Sequence, residues 1–184
     1  MIVHDILNDA THALENAGIP SARLDAEVLL SFCLNCDRLE FLKNPTMIVS
    51  EKLFAGFTNL IARRLRWEPV AYITGRKNFW TFSLEVNQAV LIPRPDTEII
   101  VEETLDVCRK TDSAKLKILD IGTGSGAIAL ALAKEISFAE IIATDISVSA
   151  LALARKNAHA LGLENNIDFR PGDLFDPVEE VFDI

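Results

Sequence analysis

A glycine-rich loop between an apolar strand pattern and an apolar helix pattern constrains the fold of this chain more than any other feature. The strand pattern runs from Leu116 to Ile121, and the helix pattern runs from Ser125 to Ile136. The loop residues are Gly122, Thr123, Gly124, Ser125 and Gly126. A strand that breaks on glycines and becomes a helix presents bare backbone and a helix N-terminus to a ligand, as nucleotide-binding α/β folds do. The sequence therefore predicts a cofactor site at this loop.

A carboxylate in the approach to the loop narrows the choice of ligand. Asp120 lies just before Gly122, separated from it by one residue. A fixed negative charge there repels a pyrophosphate, but it attracts a ligand that carries a sulfonium and an ammonium, such as S-adenosylmethionine. The spacing Gly122-x-Gly124-x-x-Ala127 also satisfies the dinucleotide fingerprint, so a nicotinamide-dependent enzyme is an alternative. Asp120 weighs against that alternative because it does not belong to the fingerprint.

Each successive strand pattern in this region ends on a carboxylate. Asp120 follows the first strand, Asp145 the second and Asp173 the third. Ligands of open parallel sheets bind beyond the carboxyl ends of the strands, so we expect the three to converge on one pocket. We expect Asp145 to accept hydrogen bonds from the ribose hydroxyls of an adenosine, and Asp120 to face the methionine ammonium. Asp173 would lie near the adenine with Leu174 or Phe175 against the ring, although an isolated Asp173 could also cap a turn.

The chain divides by pattern into three segments. Residues 1–68 carry apolar side chains at three- and four-residue spacing, which predicts a small helical bundle. Three runs rich in β-branched and aromatic residues follow, namely Val70–Ile73, Phe79–Val86 and Val90–Ile92, and they predict short strands and a hairpin. We therefore expect residues 69–93 to form a β-hairpin connector, and residues 94–184 to form an α/β domain.

Strand and helix patterns alternate in the last segment. The predicted strands are 116–121, 140–146 and 168–171, the predicted helices are 125–136 and 148–161, and residues 181–184 resemble the opening of a fourth strand. This order predicts the first half of a doubly wound, Rossmann-like parallel sheet in an α/β fold. A later crossover normally adds strands beside the first one, so we expect the 184 residues to be a fragment of a longer protein.

Composition excludes several classes of function. The formal charge of −9 and the isoelectric point near 4.8 argue against a broad electrostatic contact with nucleic acid. No apolar stretch reaches the roughly 20 residues of a membrane span, and the N-terminus lacks the pattern of a signal peptide, so a cytoplasmic protein is expected. Cys33 and Cys36 lack the second ligand pair that a structural zinc needs, and no metal site is predicted. Arg63, Arg64 and Arg66 are expected to be solvated helix surface or, alternatively, to contact an acidic or RNA-bearing partner.

Several segments together resemble a known family. They are Arg64-x-x-Trp67-Glu68-Pro69-Val70-Ala71-Tyr72-Ile73-x-Gly75, Phe79-Trp80, Val90-Leu91-Ile92-Pro93-Arg94-Pro95-Asp96-Thr97-Glu98 and the glycine loop with its approach, Ile118 to Gly126. The chain closely resembles the bacterial release-factor glutamine methyltransferases, PrmC/HemK, over essentially its whole length. It departs from the family at Trp67, where glycine is common, and at Leu174, where some members place an aromatic ring over the adenine.

The resemblance implies a fold and a function. It implies a helical N-terminal domain that docks class I peptide chain release factors, a β-hairpin linker and a class I S-adenosylmethionine-dependent methyltransferase domain. The reaction would be methyl transfer to the side-chain amide nitrogen of the glutamine in a Gly-Gly-Gln loop, in translation termination. Alternatives are an adenine-amino methyltransferase on nucleic acid and a non-catalytic module that binds release factors.

The same resemblance places the catalytic motif outside this sequence. The family's Asn-Pro-Pro-Tyr motif is expected beyond Ile184, so no catalytic residue is assigned and the 184-residue form is expected to be an inactive monomer. The predicted cofactor-binding residues are Asp120, Gly122, Thr123, Gly124, Ser125, Gly126, Asp145, Asp173 and Leu174.

Overall fold

The computed structural model describes residues 1–111 and 116–184. These residues form two compact units, Met1–Thr74 and Gly75–Ile184. Each unit has its own apolar core, and the two are described separately.

The first unit is helical, as its apolar spacing predicts. Its helices are α1 (Val3–Asn16), α2 (Ala22–Leu34), α3 (Arg38–Lys43), α4 (Glu51–Leu65) and α5 (Val70–Thr74). Side-chain oxygens cap two of them, because Asp37 accepts from the Leu39 backbone N–H at 2.7 Å and Ser50 accepts from that of Leu53 at 3.4 Å. Buried leucine, isoleucine and phenylalanine side chains from α1, α2 and α4 fill the core.

The prediction of a strand at Val70–Ile73 is wrong, because these residues form helix α5. Pro69 precedes the helix, and its carbonyl accepts the backbone N–H groups of Tyr72 and Ile73 at 2.9 and 3.0 Å. The helix buries Ile73 in the core of the first unit. Burial against the other helices therefore overrides the β-propensity of this short run.

The arginine cluster near the end of α4 is largely structural, so its interpretation as solvated surface is wrong for Arg63 and Arg64. Arg63 forms two hydrogen bonds with the Glu68 carboxylate and donates to the Ile73 and Tyr72 carbonyls at 3.3 and 3.4 Å. Arg64 pairs with Asp25 of α2 at 2.7 Å, and only 12% of its side chain is exposed. Arg66 is exposed. Two of the three arginines thus fasten α4 to α2 and to the segment that carries α5.

The second unit opens with a β-hairpin. Its strands are β1 (Arg76–Phe79) and β2 (Phe82–Glu85), and Phe79 pairs with Phe82 across the turn. The prediction of one strand over Phe79–Val86 and another over Val90–Ile92 is therefore wrong. The chain reverses at Trp80 and Thr81, with Trp80 in the left-handed region at φ +53°, and Asn87 then forms a turn by accepting from the Ala89 backbone N–H at 2.8 Å. The aromatic and β-branched run is thus two strands rather than one.

A parallel sheet follows the hairpin and helix α6 (Thr97–Lys110). Its strands are β3 (Leu116–Ile121), β4 (Ala139–Asp145) and β5 (Ile167–Pro171), in the order β3-β4-β5. The crossovers are α7 (Ala127–Glu135) and α8 (Val148–Leu161). Ile118 and Ile141 are among the side chains that the sheet buries against the helices. The α/β fold class predicted from the alternating patterns is confirmed.

The last residues lie along the other edge of β3. The Leu119 N–H donates to the Ile184 carbonyl at 3.0 Å, and the Asp183 N–H donates to the Lys117 carbonyl at 2.9 Å. β3 thus has hydrogen-bonded neighbours on both sides, as the predicted central strand of a doubly wound sheet should have.

Candidate functional site

The glycine loop has a backbone that glycine adopts more easily than other residues. Gly122, Gly124 and Gly126 have φ angles of +75°, +57° and +83°, in the left-handed region. The N–H groups of Gly122 and Thr123 both donate to the Thr144 carbonyl at 2.9 Å, which ties the loop to the end of β4. Sequence reasoning predicted the loop, and the dihedral angles give the physical reason for its glycines.

Close packing gives Gly126 a second role. A Cβ atom at this position would lie 3.0 Å from Leu130 Cδ1 and 3.3 Å from Ala154 Cβ. Gly126 is also the N-cap of α7, so the absent side chain lets α8 pack directly against the start of α7. The end of the glycine loop at Gly126 therefore packs against helix α8.

Asp120 lies beneath this loop at the end of β3. Its Oδ2 atom accepts a hydrogen bond from the Thr123 hydroxyl at 2.7 Å. Burial raises the pKa of the Asp120 carboxyl and the nearby Asp145 charge acts in the same direction, whereas the Thr123 hydroxyl and the Ala129 backbone N–H act against the rise. A raised pKa means that the ionised carboxylate lacks compensating positive charge, and a cationic ligand would supply it.

Asp145, at the end of β4, links the loop to the next crossover. Its Oδ2 accepts from the Gly124 N–H and its Oδ1 accepts from the Ser147 N–H, both at 2.8 Å. Each carboxylate oxygen retains a second lone pair that can accept another hydrogen bond. Asp120 and Asp145 therefore contact the same loop from two adjacent strands.

A small cavity of ≈ 130 Å³ lies above Asp120. One wall is the glycine loop, with Gly122, Thr123, Gly124 and Ser125, and continues into Ala127 and Ile128 of α7. The other wall is formed by Leu91, Ile92, Pro93, Arg94 and Thr97. Ligand pockets commonly measure about 300–1,000 Å³, so this cavity is of a size for one end of a cofactor.

The second wall was missing from the residues assigned to the site by sequence reasoning. Residues 91–97 belong to the Pro-Arg-Pro-Asp-Thr-Glu segment and its approach, which carried the family resemblance but no predicted role. Ile146 does not line the cavity; it follows Asp145 directly, and 72% of its surface is exposed.

Asp173 and Leu174 do not line this cavity. They lie on an exposed loop after β5, where Leu174 has a left-handed φ of +47° and 60% of its surface is exposed. The Gly172 N–H donates to the Asp145 carbonyl at 3.1 Å, so the loop starts beside the end of β4. Asp120 is the one strand-end carboxylate in the cavity lining, Asp145 is tied to that lining through Gly124, and Asp173 follows the neighbouring strand.

Other chemistry is sparse in the described ranges 1–111 and 116–184. They contain no group of three or more His, Cys, Asp or Glu side chains that could hold a metal ion. Burial raises the pKa of the Cys33, Cys36 and Cys108 thiols, which disfavours the reactive thiolate. None of the helices in these ranges is both long enough and apolar enough to cross a membrane.

Both units are similar to known protein families. The PrmC N-terminal domain model matches residues 5–75, and a methyltransferase domain model matches residues 112–184. The release factor glutamine methyltransferase of Aliivibrio fischeri is 41% identical over 99% of this chain and 63% of its own length. That of Buchnera aphidicola is 45% identical over 88% of the chain and 58% of its own length.

The chain is also similar to a solved structure. That structure is of an RNA methyltransferase from Salinibacter ruber in complex with S-adenosyl-L-homocysteine, with 28% identity and a TM-score of 0.38 over 46% of this chain and 52% of its own. The chain spans about three fifths of the length of the two release factor methyltransferases. The resemblance seen in the sequence motifs is confirmed: the chain is similar to a release factor glutamine methyltransferase over 99% of its length, and its two parts match the models of a PrmC N-terminal domain and of a methyltransferase domain.

Proposed function

We propose that this chain binds S-adenosylmethionine at the glycine loop of its second unit and belongs to an enzyme that methylates peptide chain release factors. The observation that carries the cofactor proposal is the Asp120 carboxylate, which has a raised pKa and lies beneath the glycine loop in the lining of a cavity. The names of the relatives, at 41–45% identity, support the choice of substrate.

In the proposed binding mode, the residues at the ends of β3, β4 and β5 contact different parts of S-adenosylmethionine. Asp120 would hold the methionine ammonium in the cavity, and Asp145 would accept hydrogen bonds from the ribose hydroxyls through its free lone pairs. Asp173 would lie near the adenine, to which Leu174 and Ile146 would offer apolar contacts. Both of these apolar side chains are more than half exposed, which fits residues that a ligand would cover.

Charge favours this cofactor over a dinucleotide. Two like charges about 4 Å apart repel by about 4 kcal/mol at an effective dielectric constant near 20. A pyrophosphate over the loop would experience this repulsion from ionised Asp120, and Asp145 would add to it. A sulfonium and an ammonium instead convert the same carboxylates into favourable partners.

The proposed acceptor is the side-chain amide nitrogen of the glutamine in the Gly-Gly-Gln loop of a class I release factor. An amide nitrogen is a weak nucleophile because its lone pair is delocalised into the carbonyl. Transfer therefore depends on aligning it with the sulfonium methyl group and on accepting its N–H bonds. The family's Asn-Pro-Pro-Tyr motif supplies those acceptors, and this sequence does not contain it. We therefore propose that the 184-residue chain binds cofactor without turnover.

Calorimetric titration of the 184-residue chain tests the cofactor proposal. We expect S-adenosylmethionine and S-adenosylhomocysteine to bind, and NADH not to bind. Binding of NADH alone would contradict the proposal in favour of a dehydrogenase. Binding of neither ligand would favour a non-catalytic module that recognises release factors through the helical unit.

A methyl-transfer assay tests the substrate. The protein expressed from its complete gene is incubated with labelled S-adenosylmethionine and either a release factor or DNA. We expect label in the release factor, and loss of the label when the glutamine of its Gly-Gly-Gln loop is changed to alanine. Label in DNA alone would support an adenine-amino methyltransferase. Action in the cytoplasm as a monomer, without direct binding to nucleic acid, completes the proposal.

A further inference from the structure

We propose that Asn157 of α8 is a positioning residue that sets the spacing between the two walls of the cofactor cavity. Its side chain is buried, with 4% of the residue exposed, and it makes three hydrogen bonds to backbone. Nδ2 donates to the Ser125 carbonyl at 2.9 Å and to the Glu85 carbonyl at 3.0 Å. Oδ1 accepts from the Glu85 N–H at 2.8 Å. The inference rests on the proposed cofactor binding.

These contacts reach both walls. Ser125 belongs to the glycine loop and lines the cavity directly. Glu85 is the last residue of β2, and the chain continues from it through buried Val86 and the Asn87 turn into the second wall, which starts at Leu91. The Asn157 side-chain amide therefore holds both the glycine loop, at Ser125, and the segment that leads into the second wall, at Glu85, against α8.

The chemistry of the site requires an amide. The two carbonyls need two N–H donors, and the Glu85 N–H needs one acceptor, which is the complete set of groups that an asparagine side chain offers. An aspartate keeps the acceptor but places its second oxygen against two carbonyls. An aliphatic side chain leaves all three backbone groups without this partner in a buried location, where unsatisfied polar groups are costly.

Two neighbouring residues of α8 also contact the elements that Asn157 joins. Ala154 packs against Gly126: a Cβ atom added to Gly126 would lie 3.3 Å from the Cβ atom of Ala154. Lys156 pairs with the Glu85 carboxylate at 2.7 Å, so the charged side chains on either side of the Asn157 contact neutralise each other. The ion pair involves side chains that are 65% and 42% exposed, and exposed pairs contribute little. Asn157 is thus the buried member of the connection.

The test measures S-adenosylhomocysteine binding by the 184-residue chain and its variants. We expect Asn157→Ala to weaken binding about tenfold, because the two walls are then no longer held by hydrogen bonds to the same side chain. Asn157→Asp should show the same loss at about pH 8, and most of it should disappear near pH 5.5, where a protonated carboxylic acid can again donate one hydrogen bond. Affinities are compared with wild type at each pH, which cancels the titration of Asp120.

Two control variants separate positioning from general stability. Lys156→Gln removes the exposed ion pair and should bind like wild type. Ile136→Ala removes a buried side chain at the far end of α7 from the glycine loop and should lower the unfolding temperature without changing affinity. Amide hydrogen exchange without ligand should be faster at residues 91–94 and 122–126 in both Asn157 variants, and unchanged in Ile136→Ala.

The outcomes distinguish this inference from the proposed function. If wild type fails to bind S-adenosylhomocysteine, the proposed function fails first. If wild type binds, and folded Asn157 variants bind equally well with unchanged exchange in both walls, the positioning role is overturned while the cofactor proposal stands. If Asn157→Ala does not fold, Asn157→Asp decides the matter through its pH-dependent recovery, and a constant affinity ratio across pH contradicts the role.

Discussion

At the scale of single residues, Asp120 shows how a residue of the proposed binding site lowers the stability of the fold that holds it. Its carboxyl has a raised pKa in the folded chain, chiefly through burial, so the folded state holds a proton more tightly than the unfolded state. Stability therefore falls as the pH rises from the ordinary value of 3.8 through the raised value. At neutral pH this difference in pKa lowers the stability of the ligand-free protein, and a bound cation would offset the effect.

Replacement of Asp120 tests this relation. We expect Asp120→Asn to raise the unfolding temperature of the ligand-free chain at neutral pH, while the affinity for S-adenosylmethionine falls about ten- to a hundredfold. That range corresponds to the loss of one hydrogen bond to a charged group, about 1.5–3 kcal/mol. Scanning calorimetry and titration measure the two effects. Asp106→Asn, an equal charge change at an exposed position of α6, should alter neither, and a parallel loss of stability and affinity in Asp120→Asn would contradict the interpretation.

Alanine substitutions at two glycines distinguish the cost of backbone strain from the cost of overpacking. Gly162 ends α8 at φ +69° with no atom within 4 Å of an added Cβ, whereas Gly126 has φ +83° and close contacts with Leu130 and Ala154. Gly162→Ala should cost about 1 kcal/mol through backbone strain alone. Gly126→Ala should cost about 2–4 kcal/mol, because overpacking adds about 1–3 kcal/mol. Urea unfolding measures both, and equal costs would show that α8 yields to the added methyl group.

At Trp67 the backbone explains the departure that the family resemblance indicated. The residue has φ +64°, in the left-handed region where glycine is favoured, and glycine is the residue that the resemblance implies at this position. The Arg64 guanidinium lies 5.9 Å from the centre of the Trp67 ring, within the range of a cation–π contact. That contact offsets part of the backbone strain. The family resemblance indicated that the position is unusual, and the dihedral angle gives the reason.

At the scale of elements, the loop after β5 is held by charge. Arg170 donates to Glu180 at 3.0 and 2.9 Å, to Asp168 at 2.7 Å and to the Pro177 carbonyl at 3.2 Å. These contacts close the segment that carries Asp173 and Leu174. The hydrogen bonds from Arg170 lower the pKa of Glu180 from 4.5 to about 2. The Glu180 contribution to stability is thus complete above pH 4.5 and is lost as the pH falls towards 2.

The loop after β5 should become less ordered at low pH. Amide exchange of residues 173–180 should accelerate, relative to the rest of the sheet, as the pH falls from 4.5 towards 2. Because exchange chemistry itself depends on pH, protection factors are compared rather than rates. Glu180→Gln should have low protection in this segment across the same range and lose the pH dependence. A wild-type segment whose protection is constant down to about pH 2 would contradict the role of Arg170.

Elements with many local signals were predictable, and elements set by distant contacts were not. β3 and β4 contain apolar runs, and β5 alternates buried Ile167 and Phe169 with charged residues. Each strand ends at or next to glycine, aspartate or proline, and the strand order follows from the strand–helix alternation. α5 was missed because its helical state depends on Ile73 burial and on Arg63 contacting its last carbonyls. The hairpin was displaced because Phe79–Val86 is a continuous run rich in β-branched and aromatic residues, and the turn at Trp80 carries no glycine or proline.

At the scale of the whole molecule, the same distinction applies to the candidate site. The glycine loop and the strand-end carboxylates were predictable because the parallel topology places strand ends on one edge. The wall formed by residues 91–97 was not, because it reaches the loop through tertiary contacts that no periodicity records. Asn157 was equally invisible, since a polar residue in a helix pattern gives no indication that its amide bonds to Glu85 and Ser125.

The two separate cores lead to a prediction about autonomous folding. The core of the first unit contains residues between Val3 and Ile73, and that of the second contains residues between Phe79 and Phe169. Because each core draws on one unit alone, residues 1–74 should fold as an isolated helical domain. Circular dichroism and a dispersed NMR spectrum of this segment measure the outcome, and an unfolded segment would show that its helices need the remainder of the chain.

Ligand-induced stabilisation assigns the site to a unit by the same reasoning. S-adenosylhomocysteine at a hundredfold excess over its dissociation constant should stabilise the full 184-residue chain by about 2.7 kcal/mol, because the ligand binds only the folded state. It should leave the unfolding temperature of the isolated segment 1–74 unchanged, since Asp120 and the glycine loop lie in the second unit. A ligand-dependent shift in the isolated segment would place binding in the helical unit and contradict the assignment of the cavity above Asp120.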